Sequence, residues 1–114
     1  MSTFYLRGNL FENFIFSELL KMRYNAGLPA NFYFLRDSKG VEVDCVQELP
    51  GGVRLIEIKS SETLSVNHIK NIGLLKKLFA KTEDFIIYAG KEEALYHNVK
   101  FVRWQNMENI TNNS

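Results

Sequence analysis

The stretch that decides the fold is Val41-Glu42-Val43-Asp44-Cys45-Val46-Gln47, followed beyond Pro50-Gly51-Gly52 by Val53-Arg54-Leu55-Ile56-Glu57-Ile58-Lys59-Ser60. Both segments read as apolar strands, and the Pro-Gly-Gly between them reads as a turn. Three ionised groups interrupt them: Asp44 on the first, Glu57 and Lys59 on the second. An unpaired charge on an apolar strand is costly to bury, so the trio asks for a chemical reason. Alternate strand residues share a face, which puts Glu57 and Lys59 together with Leu55, and Asp44 with Glu42 and Val46.

The turn decides whether these groups meet. A two-residue loop of Pro50 and Gly51 pairs Leu49 with Gly52 and sets Asp44 opposite Glu57. A four-residue loop sets Asp44 opposite Lys59. A three-residue loop puts Asp44 and Glu57 on opposite faces and separates the trio. Pro-Gly is not the favoured two-residue hairpin turn, so the sequence leaves the register open.

Working outward, Gly8-Asn9 opens an expected helix to about Asn25, with Phe11, Phe14, Ile15, Leu19 and Met22 at helical spacing. Gly27 and Pro29 end it. Residues 31–36 form an aromatic-rich strand, and Asp37-Ser38-Lys39-Gly40 turns the chain into the Asp44 strand. A second helix is expected over roughly Ser65–Ala80. Lys70, Lys77 and Lys81 form one stripe on it, with Lys76 adjacent, and are the candidate phosphate contacts. A solvated helix face is the plain alternative. Residues 84–89 read as a central strand and 98–103 as an edge strand. Residues 1–104 thus form one domain, and 105–114 a polar tail.

The chain has 114 residues, 46% of them hydrophobic and 24% charged, with a net charge of +1. This is the size and composition of one soluble globular domain with a real core. The balance neither demands nor excludes nucleic acid, since a local basic patch suffices. The single cysteine, Cys45, rules out an intrachain disulfide and fits a reducing compartment. No segment has the length and apolarity of a membrane span, and the N-terminus lacks a signal peptide's apolar core, so a cytoplasmic protein without membrane partners is expected.

Two carboxylates at cross-strand distance repel unless a cation lies between them. Hard oxygen ligands suit Mg²⁺ or Mn²⁺, with water and a substrate phosphate completing the shell. A lysine beside such a metal can orient the attacking water or offset developing charge. The chemistry is metal-assisted hydrolysis of a phosphodiester. The plain alternative is that Glu57 and Lys59 only pair with one another or with Glu42. Glu12 reads either as an extra acid for the site or as a first-turn glutamate favoured by the helix dipole. No His-Asp constellation lies near Ser60 or Ser61, His68 has no evident partner, and Cys45 should face away from the trio.

Glu12 in a first helix, Asp44, then Glu57-Ile58-Lys59, on a helix–three strands–helix–strand core, resembles the PD-(D/E)xK phosphodiesterase superfamily. More narrowly, Gly8-Asn9-Leu10-Phe11-Glu12-Asn13-Phe14, Tyr33-Phe34-Leu35-Arg36-Asp37, Glu42-Val43-Asp44, Ile56-Glu57-Ile58-Lys59-Ser60 and Asn98-Val99-Lys100-Phe101-Val102 resemble a domain found at the C-terminus of many prokaryotic AAA-type ATPases. The resemblance implies an α/β, restriction-endonuclease-like core with a mixed sheet flanked by helices. It also implies Asp44, Glu57 and the Ile58 carbonyl as metal ligands, Lys59 as the catalytic lysine, and Glu12 reaching the metal from the first helix. Val43 stands where the namesake motif has proline. No Gly-x-x-x-x-Gly-Lys-Ser/Thr loop is present, so ATP hydrolysis is not expected of this chain. A domain detached from its ATPase is. Expected partners are DNA and an ATPase domain, with homo-oligomerisation left open. The competing expectation is a catalytically silent DNA-binding or assembly module of such an ATPase.

Overall fold

Leu49 pairs with Gly52, so Pro50 and Gly51 alone make the turn and the two-residue register is the one adopted. Gly51 has φ 85°, the left-handed conformation that a Pro-Gly turn needs at its second position and that glycine adopts without strain. Gly52 then lies against the chain at Lys81, where a Cβ would come within 2.6 Å of the Lys81 carbonyl oxygen. The turn thus depends on both glycines, one for its φ and one for its lack of a side chain.

The computed structural model describes residues 10–111. Its elements are α1 (Leu10–Asn25), β1 (Phe32–Arg36), β2 (Glu42–Leu49), β3 (Gly52–Lys59), α2 (Lys70–Leu75), β4 (Thr82–Tyr88), β5 (Ala94–Tyr96), β6 (Val99–Arg103) and α3 (Glu108–Thr111). The expected helix opening at Gly8-Asn9 and the end of the expected tail lie outside the described residues. The six strands make one mixed sheet in the order β1-β2-β3-β4-β6-β5. β3, β4 and β6 run parallel, and the other neighbours are antiparallel. The fold is therefore α/β, as the sequence predicts, with β4 in the centre.

Each sheet face carries its own core. Ile56, Ile58, Ile87 and Val102 pack against Ile15, Phe16 and Leu19 of α1. Val46, Leu55, Ile86 and Phe101 pack against Ile72 and Leu75 of α2. Val53 to Ile58 are buried without a break, which explains why β3 reads as a continuous apolar run rather than an alternating one.

Four sequence expectations need correction. The strand at 99–103 is internal, because the short β5 pairs along its outer side. His97 and Asn98 join the two with φ of 50° and 63°, the mirror-image turn that suits tight hairpins. The second helix is not continuous over 65–80. Its α-helical part is six residues, with 3₁₀ turns at Val66–Ile69 and Lys76–Leu78, and the chain is extended at Phe79. Asn71 and Gly73 are poor helix formers in so short a segment. The chain beyond Gln105 is not a frayed tail within the described residues, for Met107 and Ile110 are buried in the α1-side core. Finally, β2 carries a bulge. Tyr33 faces Val46, but Leu35, two residues on, faces Val43, three residues back. The extra residue lies at Asp44-Cys45, and it turns Val43 and Val46 onto the same face of the sheet.

Candidate functional site

The bulge positions Asp44. The β2–β3 pairing runs from Leu49–Gly52 to Cys45–Ile56, and the same register continued sets Asp44 opposite Glu57. Here two carboxylates take over the backbone donors. The Asp44 N–H donates to Glu57 Oε1 at 2.8 Å, and the Ile58 N–H donates to Asp44 Oδ2 at 2.9 Å. Each acid thus accepts a main-chain hydrogen bond from the other's strand. Lys59 Nζ lies 3.2 Å from the remaining Glu57 oxygen, Oε2.

Burial shapes the electrostatics of this cluster. The Glu57 side chain is 3% exposed and that of Lys59 35%. Burial and then the neighbouring Asp44 push the Glu57 carboxyl up to about 7, against the pull of Lys59 and the Asp44 N–H. Burial also works against the Lys59 charge. The carboxylate of Glu57, followed by Asp44 and Glu12, outweighs it and holds the ammonium above its ordinary range. Lys59 therefore lies in the field of Glu57, Asp44 and Glu12 together. Glu12, half-buried in the first turn of α1, belongs to this field through its effect on Lys59.

Asp44, Glu57 and Lys59 are thus brought together by the structure, with Glu12 within electrostatic reach. Ile58 contributes its N–H to Asp44, and its side chain is core. Cys45 points into the α1-side core, and burial followed by Asp44 raises its thiol well above the ordinary range, which leaves it inert as a nucleophile. Lys70, Lys77 and Lys81 do not share a helical stripe. Lys70 opens α2, Lys77 sits in the following 3₁₀ turn, and Lys81 lies beyond the helix. The Val53 N–H donates to the Lys81 carbonyl. That places Lys81 at the start of β3, six residues and ~20 Å of strand from Lys59. Lys76 is engaged with the buried Asp84 at 2.9 Å.

His68 is a neighbour of the site that its sequence position does not reveal. Its ring lies 6.5 Å from that of Phe101, its Nδ1 is buried without a hydrogen-bond partner, and burial and then the Lys59 charge lower its pKa. The signal was a long-range one, since a 3₁₀ turn carries the histidine back over the sheet.

Among the described residues no group of three or more His, Cys, Asp and Glu is arranged to hold a metal ion. The pair Asp44 and Glu57 is the donor set in question. Its oxygen chemistry fits Mg²⁺ or Mn²⁺, which proteins bind through one or two carboxylates plus water and phosphate. Lys59 would have to share Glu57 Oε2 for that.

Against families of known sequence, residues 7–107 match one described as a domain of unknown function, DUF4143. Comparison with curated proteins and with solved structures gave no match. No helix among the described residues is long and apolar enough to cross a membrane.

Proposed function

The chain belongs to the DUF4143 family, and we propose that it is a metal-dependent, nuclease-like domain that acts on DNA in the cytosol. In this reading its sheet is the core of a restriction-endonuclease-like fold of the PD-(D/E)xK superfamily, and it works attached to an AAA-type ATPase domain. The observation that carries the proposal is the reciprocal lacing of Asp44 and Glu57 at the splayed end of the β2–β3 hairpin, with Lys59 on Glu57.

Asp44 and Glu57 would hold Mg²⁺ or Mn²⁺ there, with the Ile58 carbonyl as a further oxygen donor. The ion would neutralise phosphate charge and acidify water. Lys59 then holds the attacking water and offsets charge on the phosphoryl oxygens. Glu12 adds to the field that keeps Lys59 protonated. The water oxygen would bond to phosphorus and give up a proton to solvent as the bond to the leaving sugar oxygen breaks, and that oxygen would take up a proton from solvent. Lys70 and Lys77 are left as peripheral phosphate contacts, and Lys81 as a more remote one.

One observation favours a second reading. Both Glu57 oxygens are already engaged, Oε1 by the Asp44 N–H and Oε2 by Lys59. A closed pair of this kind suits a catalytically silent DNA-binding or assembly module. Cleavage of single-stranded, duplex and branched DNA with Mg²⁺ or Mn²⁺, beside Glu57→Ala and Lys59→Ala prepared identically, separates the two. Cleavage by the wild type alone establishes the nuclease. Equal cleavage by all three means contamination, and none by any favours the assembly module.

A further inference from the structure

The parallel strands β3, β4 and β6 end together. Lys59 pairs with Tyr88, and Tyr88 with Arg103, so these three residues form one row across the carboxyl ends of the strands. In open α/β sheets this is the edge at which ligands bind. The row also shares one face. Lys59 alternates with Glu57 and Leu55, Tyr88 packs in the α2-side core, and Arg103 follows Phe101 of that core by two residues.

Arg103 differs from the other well-placed cations. Lys59 is paired with Glu57, Arg54 with Glu83, and Lys76 with Asp84. Among the described residues Arg103 makes no ion pair, although it is only half-exposed. It is nevertheless held in place. Its N–H donates to Glu93 Oε2 at 3.3 Å, and the same oxygen accepts from Asn106 Nδ2 at 3.2 Å. Its Nε donates to Gln105 Oε1 at 3.2 Å. That anchors the guanidinium by one edge, while its two Nη nitrogens have no hydrogen-bond partner among the described residues. A fork of this kind matches two oxygens of one phosphate.

We propose that Arg103 is a phosphate-positioning residue that grips the nucleic-acid backbone two strands away from Lys59. The inference rests on the nuclease-like reading, which supplies the reacting phosphate at Lys59. Two strand spacings are ~10 Å. Each nucleotide step along a duplex adds rotation about the axis to its ~3.4 Å rise, so Arg103 meets a phosphate one or two nucleotides from the reacting one. Its role is to fix the register of the strand over Lys59, and it takes no part in bond making. Glu93 faces the Arg103 main chain rather than its guanidinium, for its Oε2 accepts from the Arg103 N–H and Asn106 Nδ2.

The test is binding of a short labelled DNA duplex without divalent metal, followed by fluorescence anisotropy over a range of salt. The wild type should bind with a steep salt dependence. Arg103→Ala should weaken binding about tenfold at low salt and lower the slope of log K against log salt by about 0.9, one phosphate's worth of released counterions. Arg103→Lys should keep the slope and lose a few-fold in affinity, because the charge stays and the fork goes. Lys100→Ala, an exposed cation of β6 on the opposite face, should leave the slope unchanged. Should Arg103→Ala melt early, Arg103→Gln replaces it and must show the same loss of slope. A wild-type slope retained in the Ala or Gln variant overturns the inference and leaves the nuclease-like reading standing. Salt-independent or absent binding by the wild type overturns both.

Discussion

β3 carries a buried charge near each end, and the two are handled differently. At its start, Arg54 is 2% exposed, and each of its three guanidinium nitrogens donates a hydrogen bond. Its Nε and Nη2 donate to Glu83 Oε1 at 3.1 and 3.0 Å, its Nη1 donates to Gln47 Oε1 at 2.9 Å, and the guanidinium lies 5.7 Å from the centre of the Phe85 ring. At the other end, Glu57 is equally buried, but a second carboxylate lies beside it, and burial and that neighbour raise its pKa against the pull of Lys59. A buried charge gripped at each of its nitrogens serves the fold. A buried carboxyl whose ionisation is opposed by a second carboxylate favours a cation or a proton there, and it is the one that points to function.

The largest expected contrast is in activity. Lys59→Ala should lower metal-dependent cleavage by about 10²–10³-fold, the loss typical of removing one group that stabilises developing charge. Arg54→Ala should change cleavage per folded molecule little. A single-turnover assay normalised to folded protein checks this, and a comparable loss in both variants would erase the distinction.

Stability should show the reverse. Arg54→Ala removes a large buried side chain and leaves Gln47, itself fully buried, without its donor. A loss of about 3 kcal/mol is expected in urea unfolding. Lys59→Ala should cost clearly less, because its side chain is one-third exposed.

The pH dependence sharpens the comparison further. Burial and then Asp44 push the Glu57 carboxyl of the folded chain up to about 7, against 4.5 for a free glutamate side chain. Folding therefore takes up a proton in that window. The metal-free protein is most stable below about pH 4.5 as far as Glu57 is concerned, and it loses up to about 3 kcal/mol as pH rises to about 7. Lys59, raised above 10.5, stays charged throughout that window and adds no slope there. Glu57→Gln should flatten the profile. A wild-type curve that rises from pH 5 to 7 and a Gln curve with the same shape would contradict the assignment.

The smallest effect concerns the turn. Gly51→Ala should cost about 1 kcal/mol, since alanine resists φ of 85°, with no clash because a Cβ there meets nothing within 4 Å. Thermal melting measures it. A larger loss, or loss of the site chemistry with it, would mean that the two-residue register is less secure than the pairing indicates.

The sheet and α1 were legible because apolar strands and turn residues are local signals, whereas the meeting of Asp44, Glu57 and Lys59 hung on a hairpin register that Pro50-Gly51-Gly52 left open. The bulge at Asp44-Cys45 was not, for no glycine or turn residue marks it, yet it decides where Asp44 points. The broken second helix was misread because Ile69, Ile72 and Leu75 keep helical spacing through Gly73, and periodicity does not weigh propensity. β5 is three residues long, below the length at which alternation is visible. Met107 and Ile110 stood in a polar stretch, and only the packing against α1 makes them core. Arg54 gave no sequence sign of being buried, since its partners Gln47 and Glu83 lie on two other strands.

The central claim is that the adjoining carboxylates of Asp44 and Glu57 form a cation site. Titration of the metal-free protein with Mn²⁺ by calorimetry, above pH 7 where Glu57 is ionised, tests it most directly. The account expects saturable binding near one ion per chain, lost in Glu57→Ala and kept in Arg54→Met. An isotherm that is unchanged in Glu57→Ala, or no binding by the wild type, would contradict it.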